Sequence, residues 1–121
     1  MAEISLFDKR GKPIAYIADD GESTIYLWDG RPVAYLHDEH VYGFNGKHLG
    51  WYENGVVRDS EGAKIGFTRE TCPSVTSLEP LKGLKALKHL KSLRTLPPLR
   101  PVDKLGTSDQ DLEEFLLGRA K

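Results

Sequence analysis

Four times before residue 70 the chain runs through one pattern: an apolar strand, a glycine turn led by Asp or Asn, a basic or polar pair, then an apolar residue, a small residue and an aromatic. The copies read LFDKRGKPIAYI from Leu6, LWDGRPVAYL from Leu27, GFNGKHLGWY from Gly43 and VRDSEGAKIGFT from Val57. In their second strands the apolar positions are Ile14, Val33, Leu49 and Ile65, the small ones Ala15, Ala34, Gly50 and Gly66, and the aromatics Tyr16, Tyr35, Trp51 and Phe67. Each copy reads as a β-hairpin. A unit this short cannot bury its own apolar face, so neighbours must complete it, and four hairpins can close around an axis. Spaced turns and alternation occur in any two-layer β protein, but the same small-then-aromatic pair after every turn does not. The small residue suits a crowded place near the axis, and strand alternation sends the aromatic to the opposite face.

Asp29-Gly30 and Asn45-Gly46 are expected to form two-residue type I′ turns, with longer loops at Asp8 to Gly11 and Asp59 to Gly62. In this alignment Arg58 stands where the other copies have Phe7, Trp28 and Phe44, so the fourth petal is expected to be splayed or covered by the tail.

The run VYGFNGKHLGWYENGVVRD, with LWDGRPVAYL before it and GFTRE after it, resembles the bacterial four-fold β-flower family over about residues 4 to 71. The resemblance implies the fold and no activity, so no functional residue is carried over. Tails in that family are expected to have mostly Phe where this chain has Leu. The fold class expected is therefore all-β: four hairpin repeats in a pseudo-fourfold flower over residues 1–77, an extended Leu/Lys tail over 78–106, and a short amphipathic helix within 107–121.

Charge divides the same way. Residues 1–77 carry 8 Lys plus Arg against 12 Asp plus Glu, a balance of −4, and residues 78–121 carry 9 against 6, a balance of +3. A β unit of this size lies near the lower limit for independent stability, so something else should help to hold it. The single cysteine, Cys72, excludes an intramolecular disulfide and points to a reducing compartment. No signal-like leader or apolar run of membrane-spanning length is visible, and the expected location is cytoplasmic.

From Leu78 to Leu99 a leucine recurs at every third residue, and Val102 and Leu105 keep the phase. Lys82, Lys85, Lys88, Lys91 and Arg94 each follow a leucine and make a second column. A step of three fits polyproline II, which has three residues per turn, whereas on an α-helix it drifts by about 60° per step. Helix propensity of Leu, Lys and Ala between Pro80 and Pro97 argues the other way, so a helical segment within Leu81 to Thr95 is the alternative to an extended tail. Fully extended as polyproline II, Leu78 to Leu99 spans roughly 65 Å, so it must wrap, fold back or project. The leucine row alone does not offset the entropy of ordering it. Beyond it, Ser108 to Asp111 reads as a capping box before an amphipathic helix over residues 109–117, stopped by Gly118.

Phosphate-loop, dinucleotide and nucleophile-elbow motifs are absent, and no acid, base and nucleophile share a spacing that would make a reaction, so the chain is read as a non-enzyme without a cofactor. His37, His40, His48 and Glu39 raise a metal site, but a connector after a strand does not force two histidines three apart to converge, and no metal is assigned. The first functional expectation is a protein-interaction module whose tail docks an unknown partner protein or another copy of the chain, through Lys82, Lys85, Lys88, Lys91, Arg94, Leu84, Leu87 and Leu90. The second is an anionic surface, nucleic acid or lipid headgroups, held by the lysine column; a pI near 6.4 disfavours nucleic acid. The third is a small-ligand site at the flower mouth, built from Asp29, Asn45, Asp59 and His48 or from exposed aromatics, although packing between petals is the stronger reading of Trp28, Trp51, Tyr26, Tyr35, Tyr42 and Tyr52.

Overall fold

The computed structural model describes residues 3–119. Eight strands, β1 (Ile4–Phe7), β2 (Pro13–Ile17), β3 (Thr24–Leu27), β4 (Pro32–His37), β5 (His40–Gly43), β6 (His48–Glu53), β7 (Val56–Arg58) and β8 (Lys64–Phe67), pair antiparallel in chain order and close as a barrel. The repeats are its hairpins. Closure rests on Phe7 opposite Phe67, so the fourth petal is not splayed.

Small residues face the axis as expected. Leu6 pairs with Ala15, Ile25 with Ala34, Val41 with Gly50 and Val57 with Gly66, one large apolar residue against one small residue in every hairpin. These rungs make the interior core, together with α1 (Leu112–Leu116), whose Leu112, Phe115 and Leu116 are buried within it. The progression Ala, Ala, Gly, Gly has a steric reason: a Cβ on Gly50 would collide with the Arg58 carbonyl oxygen of β7 and meet the Phe115 ring at 2.9 Å, and one on Gly66 would meet Leu112 Cδ1 and Val57 Cβ, each at 3.1 Å. The third and fourth petals are hollowed to admit the helix. A five-residue helix has no stability of its own, and burial of its three apolar side chains, at about 1.5 to 3 kcal/mol each, holds it. Its N-cap is Asp111, which accepts from the Glu114 amide at 3.0 Å, so the cap falls three residues after the expected Ser108.

The turns correct the sequence reading. All four are alike: the amides of Gly11, Gly30, Gly46 and Gly62 donate to Asp8, Leu27, Gly43 and Asp59, and each glycine has φ near +90°. Asp29 and Asn45 lack the positive φ a type I′ turn demands. A register shift follows Leu6, Ile25, Val41 and Val57, a bulge that one left-handed glycine permits. Two-residue turns with both residues left-handed lie instead at the other end, at Asp38-Glu39 and Asn54-Gly55. Superposing the turns shifts the second and third copies by two residues, and Arg58 corresponds to Phe7, Tyr26 and Tyr42.

Candidate docking surface on the wrapped tail

From Thr76 to Lys104 the chain has neither helix nor strand, yet it is bound to the barrel at regular intervals. Amides of Ser77, Ala86, Thr95 and Lys104 donate to the carbonyls of Gly11, Gly30, Gly46 and Gly62 at 2.8, 2.9, 2.9 and 3.1 Å. The donors are nine residues apart. Gly83 and Ser92 amides add bonds to Trp28 and Phe44 at 2.7 and 2.8 Å, the Ser74 hydroxyl bonds Lys9 at 2.8 Å, and Pro101, next in that series, has no amide hydrogen to give. Nine residues are three turns of a three-residue helix, so the tail meets every petal with the same edge. It is a strap around the flower, and the helical alternative for Leu81 to Thr95 is excluded.

A strap of period three has three edges. The first, Gly83, Ala86, Ser92 and Thr95, lies against the petals and is small because space is lacking: a Cβ on Gly83 would stand 2.5 Å from the Asp29 carbonyl oxygen.

The second edge carries the cations, and they turn inward onto the aromatic wall. Lys82, Lys91 and Arg100 stand over Tyr16, Tyr35 and Trp51 at 4.7, 4.3 and 5.9 Å, again nine residues apart. Lys85 and Arg94 stand over Tyr26 and Tyr42 at 5.3 and 5.8 Å. At the next place in that series the strap has Asp103, 3.5 Å from Arg58. Both partners have exchanged character there, which explains the one petal whose first strand has no aromatic. Arg58 also donates to the Gly62 and Lys104 carbonyls at 2.8 Å.

Carboxylates complete the match. Glu3 binds Lys82 and Lys85, Glu22 binds Lys88 and Lys91, Asp20 binds Lys88 at 3.2 Å and Glu53 binds Arg100 at 2.7 Å. The Lys82 ammonium holds the Glu3 carboxyl below its usual range, and the Lys88 ammonium does the same for Glu22. The acidic flower and basic tail seen in the composition are one interface. Arg94 has no carboxylate partner among the described residues.

The third edge is the leucine row, and it faces away from the flower. Val75, Leu78, Leu81, Leu84, Leu87, Leu90, Leu93, Leu96, Leu99, Val102 and Leu105 are between 87% and 97% exposed. The sequence-predicted site therefore divides. Leu84, Leu87 and Leu90 are free, whereas Lys82, Lys85, Lys91 and Arg94 are engaged with the flower's own aromatics, and Lys82, Lys85, Lys88 and Lys91 with its acids. The barrel interior is filled by α1, and the aromatic clusters of the outer wall are covered by the strap's own cations, so the row packs on neither among the described residues.

The mouth residues are spent on structure. Asp29 and Asn45 accept from Arg31 and Lys47 amides at 3.0 Å, and buried Asp59 accepts from Glu61 and Ala63. His48 lies on the outer wall, its Nε2 2.9 Å from His40 Nδ1 and its ring 4.8 Å from that of Trp51. Burial, and then the neighbouring His40, push the His48 imidazole down to about 4. A cleft of about 590 Å³ opens beside this pair, between His37, Asp38, His40 and strap residues 91–97. Among the described residues, no three His, Cys, Asp or Glu side chains are grouped to hold a metal ion, and no helix is long and apolar enough to cross a membrane.

The architecture defines a class: a closed eight-stranded antiparallel barrel of four repeated hairpins, strapped by its own C-terminal chain. The chain belongs to the 4-fold beta flower protein family, whose model matches residues 4–116 and so takes in the strap and the helix as well as the petals. No curated protein and no solved structure matches it.

Proposed function

We propose that this protein is a non-enzymatic interaction module, in which the flower is a rigid frame that displays the leucine row as a docking surface. One observation carries the reading: eleven large apolar side chains stand almost fully exposed on a segment whose main chain is fastened to the barrel on every petal. Soluble domains rarely display contiguous apolar surface on this scale without a use for it. Fixing the strap in advance removes much of the ordering cost a free tail would incur on binding. Engagement of the cations with the flower weighs against capture of nucleic acid or anionic lipid. Cys72, half-buried with a free thiol, suits the reducing cytoplasm.

The test replaces Leu84, Leu87 and Leu90 by Gln. If the leucines serve docking, the variant melts within about 2 °C of the parent at a dilution where both are monomeric, since exposed substitutions move stability little once association is removed, and binding of a hydrophobic dye such as bis-ANS falls. A melting temperature lower by more than about 5 °C at that dilution would make the leucines structural and end this reading.

A further inference from the structure

We infer that the occupant of the leucine row is a second copy of the same chain, its row laid face to face against the first in a two-fold dimer. This rests on the docking-surface reading above. Area is the first argument. Each exposed Leu or Val has roughly 60 to 120 Å² of apolar surface to lose, so the eleven together offer roughly 700 to 1,300 Å². A stable interface needs about 800 Å² from each partner, and the row supplies that from one edge of one segment.

Spacing is the second argument. On polyproline II the leucines are about 9 Å apart, a gap wide enough for one leucine side chain. Two rows running in opposite directions can therefore interdigitate, each leucine seated between two of its partner's. A two-fold axis produces that arrangement without further adjustment, because each row is its own complement. The row is also curved, following three quarters of the flower from Gly11 to Gly62, and a straight helix or strand could cover only a short arc. A second flower carries the same nine-residue recurrence.

Charge and main-chain chemistry argue against the other occupants. The formal net charge is −1, so two copies scarcely repel. Main-chain amides of Leu84, Leu87 and Leu90 have no hydrogen-bond partner among the described residues. In lipid they would be stripped of water with nothing to replace it, whereas beside an interdigitated row they stay at a hydrated rim.

The experiment is sedimentation equilibrium of the full chain from 1 to 200 µM, run with the Leu84→Gln, Leu87→Gln, Leu90→Gln variant. The parent should sediment at twice 13.6 kDa, near 27 kDa, and the variant should dissociate at least about 100-fold more readily. If the triple variant does not fold, Leu87→Gln alone is read instead, with about a 10-fold shift expected. A parent that stays at 13.6 kDa throughout overturns the dimer, as does a dimer the substitutions leave intact. Flotation of monomeric parent with phosphatidylcholine vesicles would overturn it in favour of a lipid surface. The two readings fail separately: a monomeric parent whose variant melts normally sinks only the second copy, and a variant that melts more than about 5 °C below the parent at a dilution where both are monomeric sinks the docking surface as well.

Discussion

Replacing Gly30 by Ala should unfasten the strap from the second petal, and the cost can be worked from three glycines that differ in one respect at a time. Gly106 has an ordinary backbone and open space around it, so Gly106→Ala should change stability by less than about 0.5 kcal/mol. Gly21 has φ of +80° and nothing within 4 Å; Gly21→Ala should cost only the left-handed penalty, about 1 to 2 kcal/mol. Gly30 has φ of +98° and, in addition, a Cβ there would collide with the Leu84 carbonyl and Lys85 nitrogen of the strap. These are main-chain atoms and cannot rotate aside. The strap must lift, which endangers the Gly83 bond to Trp28 at 2.7 Å and the Ala86 bond to Gly30 at 2.9 Å, each worth about 0.5 to 1.5 kcal/mol net. Gly30→Ala should therefore cost about 2 to 5 kcal/mol. At about 4 °C per kcal/mol for a chain of this size, the melting temperature should fall by about 8 to 20 °C, against about 4 to 8 °C for Gly21→Ala. Urea melts followed by Trp fluorescence give the free energies. Should Gly30→Ala and Gly21→Ala agree within about 0.5 kcal/mol, the strap is not seated on that glycine and the reasoning fails.

Other expectations concern the helix, the exchanged pair and the histidines. Phe115→Ala empties space that Gly50 was hollowed to provide and should cost about 3 to 5 kcal/mol in chemical denaturation; a loss under 1 kcal/mol would mean α1 does not plug the barrel. Arg58→Tyr and Asp103→Arg should each destabilise, while the double variant, which recreates the Tyr42 and Arg94 pairing, should recover at least about 0.5 kcal/mol relative to the sum of the two; strict additivity would dissolve the exchange. His48 is neutral in the fold, with its pKa near 4 below the ~6.5 of the unfolded chain, so protonation favours unfolding. Its contribution is complete above about pH 6.5 and is lost as pH falls toward 4. His48→Gln should flatten the melting temperature across that window, and an unchanged acid-side slope would contradict the assignment.

Hairpins, closure and the inward small residues were legible because their signal is local: Ala15, Ala34, Gly50 and Gly66 recur beside an aromatic after each turn. Turn type was less so. Asp29-Gly30 looks like a two-residue turn in isolation, but the bulge needed to curve the barrel puts a single left-handed glycine at the end of a longer turn, and the sequence dipeptide does not record the bulge. The period of three gave the strap its conformation, but which column faces the protein was not written in either column alone. Leucine would turn inward had the wall been apolar. The wall is aromatic and acidic, so Lys82, Lys91 and Arg100 satisfy it better, and the leucines are left outside. One signal for this was present: the column Gly83, Ala86, His89, Ser92 and Thr95 is small at four of its five positions, and the small ones are nine apart in pairs, the mark of an edge pressed against something. Arg58 opposite Asp103 was unreadable, because the two meet only after the strap has gone round.

The central claim, that the tail is a strap seated once per petal every nine residues, is tested most directly by residue-resolved amide hydrogen exchange on the full chain. Slow exchange is expected at Ser77, Gly83, Ala86, Ser92, Thr95 and Lys104, with fast exchange at Leu84, Leu87 and Leu90 between them. Uniformly fast exchange across residues 77–104 would mean a free tail, and continuous protection over Leu81 to Thr95 would mean a helix; either contradicts the strap.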